Sequence, residues 1–76
     1  MPTLRPTSGE ECVKILVKHF GFRVVRQRGS HVVLRKDLRI GRVGTVVPLH
    51  RELRVGTLRG LLRLARVDPD EFAKHL

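Results

Sequence analysis

Four histidines, seven carboxylates and one cysteine are the side chains of this 76-residue sequence that could carry acid–base, nucleophilic or metal chemistry. Imidazole is the first candidate for moving a proton, because its ordinary pKa lies nearest neutrality. His31 follows the pair Gly29-Ser30 and opens a run in which Val32 and Leu34 alternate with His31, Val33 and Arg35. A strand sends successive side chains to opposite faces, so if Val32 and Leu34 face a core, His31 stands on the uncovered side. In the later run Thr45-Val46-Val47-Pro48-Leu49-His50, turning Thr45, Val47 and Leu49 inward sends Val46, Pro48 and His50 to that same side. Two histidines on one basic surface would suit acid–base attack on a phosphate. The alternative reading of His31, an exposed strand residue without chemistry, stays open on geometry alone. His19 falls in the last turn of a helix, where a partly positive ring offsets the dipole, and reads as structural. His75 carries no argument.

The carboxylates argue against metal work. Glu10, Glu11, Asp68, Asp70 and Glu71 fall in the first turns of expected helices, where negative charge offsets the dipole and caps the backbone. Asp37 and Glu52 are isolated in expected loops, so the clustered acids of a two-metal nuclease are missing. Cys12 is the single cysteine, which excludes an internal disulfide, and no Cys/His set has zinc-ligand spacing. No metal or cofactor is expected.

Charge points to the partner. The net charge is +9, from 16 basic and 7 acidic residues. Twelve of the bases lie between positions 23 and 66, eleven of them arginine, against only Asp37 and Glu52. Arginine's planar fork matches phosphate oxygens in pairs and is weakly hydrated, so a phosphodiester backbone suits such a surface. A merely solubilising surface is the bland alternative. Attachment to a membrane is not expected, because the bases are spread through patterned segments without a lipidation motif, and no apolar run approaches the roughly 20 residues that span a bilayer. Without an apolar leader at its start, the chain reads as cytoplasmic.

The elements that position these groups follow from periodicity and punctuation. Ser8 to Glu11 has the spacing of a capping box, and Val13, Leu16 and Phe20 then recur at helical intervals, flanked by Cys12 and Ile15, up to a stop at Gly21. From Phe22 the pattern changes to β-branched alternation, which turns at Arg28-Gly29-Ser30 and resumes from His31 to Arg35 as a hairpin. Residues 36–44 are basic and glycine-interrupted and read as a long turn. Residues 45–49 form a third strand, with Pro48 at an edge or an end. A loop follows, and a second helix starts near Gly56 or Thr57, burying Leu58, Leu61, Leu62 and Ala65 while Arg59, Arg63 and Arg66 face away. Asp68-Pro69 restarts a short helix that packs through Phe72 and Leu76. The expected class is α+β, in the order α-β-β-β-α(-α), with a three-stranded antiparallel sheet covered by helices on one face and open on the other. Residues 8–76 make one domain after a loose segment at 1–7. A chain this short buries only about 60% of its unfolded surface, so its stability is marginal.

The run Gly21-Phe22, then Arg26-Gln27-Arg28-Gly29-Ser30-His31, then Val46-Val47-Pro48-Leu49-His50, then Gly56-Thr57-Leu58-Arg59-Gly60-Leu61-Leu62, and finally Asp68 followed by Glu71-Phe72 resembles the HicA (YcfA-like) toxin family. The likeness covers residues 8–76. It implies a double-stranded-RNA-binding-like fold, metal-independent endoribonuclease activity on mRNA, neutralisation by a HicB-type antitoxin, and a catalytic role for His31, the histidine of the Gly-Ser-His motif. The family commonly has a short turn between strands two and three, from which residues 36–44 depart. On this reading Arg26, Arg28 and Arg35, with Arg59 and Arg63 of the second helix, hold RNA by its phosphates. Gly29 permits close approach of the backbone, Ser30 orients the histidine or the phosphate, and His50 is the candidate second proton-transfer group. DNA binding by this chain alone is not expected. A non-catalytic basic RNA-binding module is the alternative, since the same fold and charge would serve binding alone.

Overall fold

The computed structural model describes residues 3–76. Helix α1 spans Gly9–Phe20, strands β1, β2 and β3 span Arg23–Arg28, His31–Leu38 and Gly41–Pro48, helix α2 spans Val55–Ala65, and α3 is a short helix at Pro69–Ala73. The strands form one antiparallel sheet in the order β1-β2-β3. This is the expected α+β architecture, with an open three-stranded sheet.

The helix starts at Ser8 and Asp68 are capped as their residues demand. Ser8 Oγ accepts the Glu11 backbone N–H at 3.0 Å, and Asp68 Oδ1 accepts that of Asp70 at 3.0 Å. Gly21 closes α1 in the left-handed conformation, after which the Phe22 N–H reaches back to the Leu16 carbonyl and the ring is buried. The buried stripe of α1 is Cys12, Ile15 and Leu16, rather than Val13, Leu16 and Phe20. Val13 and Phe20 are partly buried and pack against the core at its margin.

Leu58, Leu61, Leu62 and Ala65 of α2 meet Val32, Leu34, Val43 and Val47 of the sheet, and Phe72 of α3 completes the core. Each fully buried leucine or phenylalanine contributes roughly 2 kcal/mol relative to exposure. Thr45, the one buried polar residue among the described residues, donates its hydroxyl to the Leu61 carbonyl at 2.7 Å and so ties β3 to α2. At the other end of β3, Gly9 is pressed against the backbone. A Cβ there would overlap the Pro48 carbonyl oxygen and lie 2.8 Å from Leu49 Cα, while the Gly9 N–H donates to the His50 carbonyl at 2.9 Å.

Three expectations are corrected. Residues 36–44 are no long turn: β2 runs on to Leu38, only Arg39 and Ile40 lie in the turn, and β3 begins at Gly41, three residues after β2 ends. The ladder continues through Lys36–Val43, Asp37–Arg42 and Leu38–Gly41, with Asp37 salt-bridged to Arg23 at 3.1 Å and to Arg42 at 3.5 Å. Glycine and charge lowered the local strand signal, and cross-strand pairing outweighs it. The segment expected to be loose is held in part: Leu4 is buried in the core, and Thr7 forms an isolated bridge with Leu53. Met1 and Pro2 lie outside the described residues. Finally, α2 starts at Val55, slightly before the predicted position.

Candidate active site

His31 is the first residue of β2 and is exposed, between Arg28 of β1 and Pro48 of β3 in the ladder. Its neighbours Val32 and Leu34 are buried toward the helices, so strand alternation places His31 on the open face. Cross-strand pairs share a face, which gives this face three successive rows: Arg28, His31 and Pro48; Arg26, Val33 and Val46; Arg23, Arg35 and Gly44.

The position of the β1 arginines depends on a feature that sequence alternation missed. Strict period two from Arg23 would turn Val24 and Arg26 to the same face. Instead the register slips between Val24 and Arg26, a bulge that leaves Val25 without a partner. Val24 lies opposite buried Leu34 on the helix side, whereas Arg26 lies opposite Val33, and Arg28 opposite His31, on the open side. Bulges re-aim side chains in this way. Here one extra residue turns Val24 to the helix side and brings Arg23 onto the face that Arg26 and Arg28 share with the histidine. The run Val24-Val25 between arginines was the available signal, since a bulge allows both valines without breaking the arginine pattern.

The turn before His31 is braced from within. Gly29 has φ +54°, in the left-handed region that favours glycine, and nothing lies within 4 Å of a Cβ built there. Gln27 Nε2 donates to the Gly29 carbonyl at 3.0 Å, and the Ser30 carbonyl accepts the Leu49 N–H at 2.6 Å. Gln27 thus holds the turn, a role its sequence position did not announce.

Asp37 engages Arg23 and Arg42, while Arg26, Arg28 and Arg35 form no salt bridge among the described residues. Three guanidinium groups beside His31 are therefore free of internal carboxylates. Such an array suits a ligand that brings its own negative charge at regular intervals.

The remaining candidates lie elsewhere. β3 ends at Pro48, so His50 sits in the following loop, where strand alternation no longer fixes its side; its carbonyl accepts from Gly9 at the start of α1. Arg59 and Arg63 are exposed on α2, which packs against the helix-covered face through Leu58, Leu61, Leu62 and Ala65. With Arg66, Val67, Asp68 and Pro69 they line a cleft of about 360 Å³ on the helix layer. The open-face arginines and the α2 arginines are thus two separate basic surfaces. His19 and His75 stack on each other with ring centroids 3.8 Å apart, clamping the end of α1 to the residues after α3. Cys12 is buried, and burial pushes its thiol up to about 12, which removes it as a nucleophile. Among the described residues no cluster of three or more His, Cys, Asp or Glu could hold a metal, and no helix is long and apolar enough to cross a membrane.

A family model described as the HicA toxin of bacterial toxin-antitoxin matches residues 9–67, from the first residue of α1 to just beyond α2. No curated protein and no solved structure matches the chain.

Proposed function

This chain belongs to the HicA toxin family of bacterial toxin–antitoxin pairs, and we propose that it is the toxin component acting as a metal-independent endoribonuclease on mRNA in the cytoplasm, with His31 as its catalytic residue. The observation that carries the reading is the row Arg28, His31 and Pro48, continued by Arg26 and Arg35 on the same open face. RNA lies across this face with its phosphates on the three arginines. His31 takes the proton of a ribose 2′-OH as that oxygen attacks the adjacent phosphorus. The 2′-oxygen–phosphorus bond forms, and the bond from phosphorus to the 5′-oxygen of the next nucleotide breaks. The imidazolium then returns its proton to that leaving oxygen. The products are a 2′,3′-cyclic phosphate and a 5′-hydroxyl, and no atom or electron comes from elsewhere. Arginine offsets the charge that builds on the phosphorane. Gly29 keeps the turn low where the RNA backbone passes, and Ser30 orients the ring or the phosphate.

One imidazole serves both proton steps in this scheme, with His50 a secondary candidate for the second. The 2′-OH requirement makes RNA the substrate and DNA a non-substrate. The cognate antitoxin that family membership implies is of the HicB type, and it neutralises the toxin by covering the arginine face.

A non-catalytic RNA-binding module is the second reading, favoured by one observation: the ladder neighbours of His31 are Arg28 and Pro48, without a second acid–base side chain in that row. The experiment that separates the two is incubation of the purified chain with single-stranded RNA in excess EDTA, followed by analysis of product ends. Cleavage with cyclic-phosphate and 5′-hydroxyl ends is expected. Binding without cleavage selects the module, and cleavage that returns only with added metal overturns the mechanism.

A further inference from the structure

β1 is an edge strand. All six of its residues are exposed, and no strand or bridge among the described residues pairs with its outer side. An open edge of this kind is a template for another chain. Its two faces differ in chemistry. On the helix side, a groove of about 430 Å³ runs between α1 and β1, floored by Val13, Val24, Val32 and Leu49 with Lys14 and Gln27 at its walls, and Glu10 as its one acid. Val24 is 50% exposed and Val17 of α1 42%, so this apolar strip is left uncovered. On the other side, Arg26 and Arg28 stand on the open face, opposite Val33 and His31.

We propose that the cognate antitoxin docks on the outer edge of β1 as an added strand whose side chains alternate, apolar ones entering the groove and acidic ones lying against Arg26 and Arg28. Strand addition of this kind takes affinity from main-chain hydrogen bonds and specificity from the alternating side chains. Charge fixes the occupant. A second copy pairing antiparallel through β1 sets Arg23 opposite Arg28 on both sides of the two-fold axis, and like charges directly opposite repel. RNA satisfies the arginines but leaves the valine strip and the backbone edge unused. An acidic, alternating peptide segment uses all three. It also explains neutralisation, because carboxylates beside Arg28 stand one strand away from His31 and occupy the charge that RNA phosphates need. The inference rests on family membership, which supplies the antitoxin, and is independent of whether His31 cleaves RNA.

Amide hydrogen exchange of the full chain, alone and in complex with its cognate antitoxin, tests it without reading catalysis. Amides within residues 23–28 are expected to slow about tenfold or more in the complex. Val24→Glu places a carboxylate in the groove at a half-exposed position, so it is expected to weaken the complex about tenfold or more while circular dichroism stays unchanged. Leu64→Glu, on the exposed side of α2, is expected to leave affinity unchanged. A complex with unaltered exchange at residues 23–28, a Val24→Glu chain that binds as tightly as the parent, or equal protection of these amides by a single-stranded RNA oligonucleotide overturns the proposal.

Discussion

Replacing Gly9 with alanine reverses the sign that helix propensity alone assigns to it. Gly9 is the first residue of α1, and alanine is the better helix former by up to about 1 kcal/mol. The added methyl has no room: it would overlap the Pro48 carbonyl oxygen and sit 2.8 Å from Leu49 Cα, and both neighbours are backbone rather than the end of a mobile side chain. Relief requires α1 to lift from β3, which strains the hydrogen bond from the Gly9 N–H to the His50 carbonyl. Overpacking of this kind costs about 1–3 kcal/mol. In a domain of this size each kcal/mol lowers Tm by roughly 4–8 °C, so a 2 kcal/mol loss corresponds to roughly 8–16 °C. Thermal unfolding followed by far-ultraviolet circular dichroism measures it directly. Because Pro48 is the ladder partner of His31, RNA cleavage should fall in the same variant even below its Tm. A Gly9→Ala chain as stable as the parent, or more stable, refutes the close packing of α1 on the end of β3.

Gly60, in the middle of α2, has nothing within 4 Å of a Cβ, so Gly60→Ala is expected to stabilise by about 0.5–1 kcal/mol and raise Tm by a few degrees in the same assay. Arg28→Ala removes one proposed phosphate contact without touching the core; its RNA affinity should fall across all sequences, and the slope of log affinity against log salt should shrink by about 1 in fluorescence-anisotropy titrations. The His19 pKa is held below its ordinary 6.5, first by lost hydration and then by the neighbouring charges of His75 and Lys18. The folded state therefore resists a proton that the unfolded chain accepts, so stability is complete above about pH 6.5 and declines as the pH falls from there through the folded value. His75→Gln should flatten this dependence in denaturant titrations at pH 7.5 and 5.5.

Much of the fold was legible because local signals agreed. Ser8, Gly21, Asp68 and Pro69 mark helix ends by mechanisms that do not depend on the rest of the chain, and they stand where they were read. The Gly29-Ser30 turn and the alternation after it place His31 on the uncovered side from local pattern alone. What escaped was set by pairing between distant residues. The extension of β2 and β3 through residues 36–43 draws on cross-strand pairs and on Asp37 between Arg23 and Arg42, none of which appears in a window of local propensity. The bulge at Val25 is invisible to period-two counting, yet it decides that Arg23 joins Arg26 and Arg28 on the face of His31 while Val24 turns to the helix side. The residues read from sequence as one site also fall on different surfaces. Arg59 and Arg63 belong to the helix layer, and His50 lies past the end of β3. Periodicity assigns a residue to a side of its own element, but only packing decides which sides meet.

In the proposed mechanism His31 does the chemistry while the arginines around it do the holding. Its most direct test is a paired measurement on a His31→Ala chain: RNA affinity by anisotropy, and single-turnover cleavage of the same RNA in EDTA. Affinity within about twofold of the parent, with cleavage lowered by a factor on the order of 10² or more, is the predicted result. Cleavage at the parental rate by the variant would contradict it.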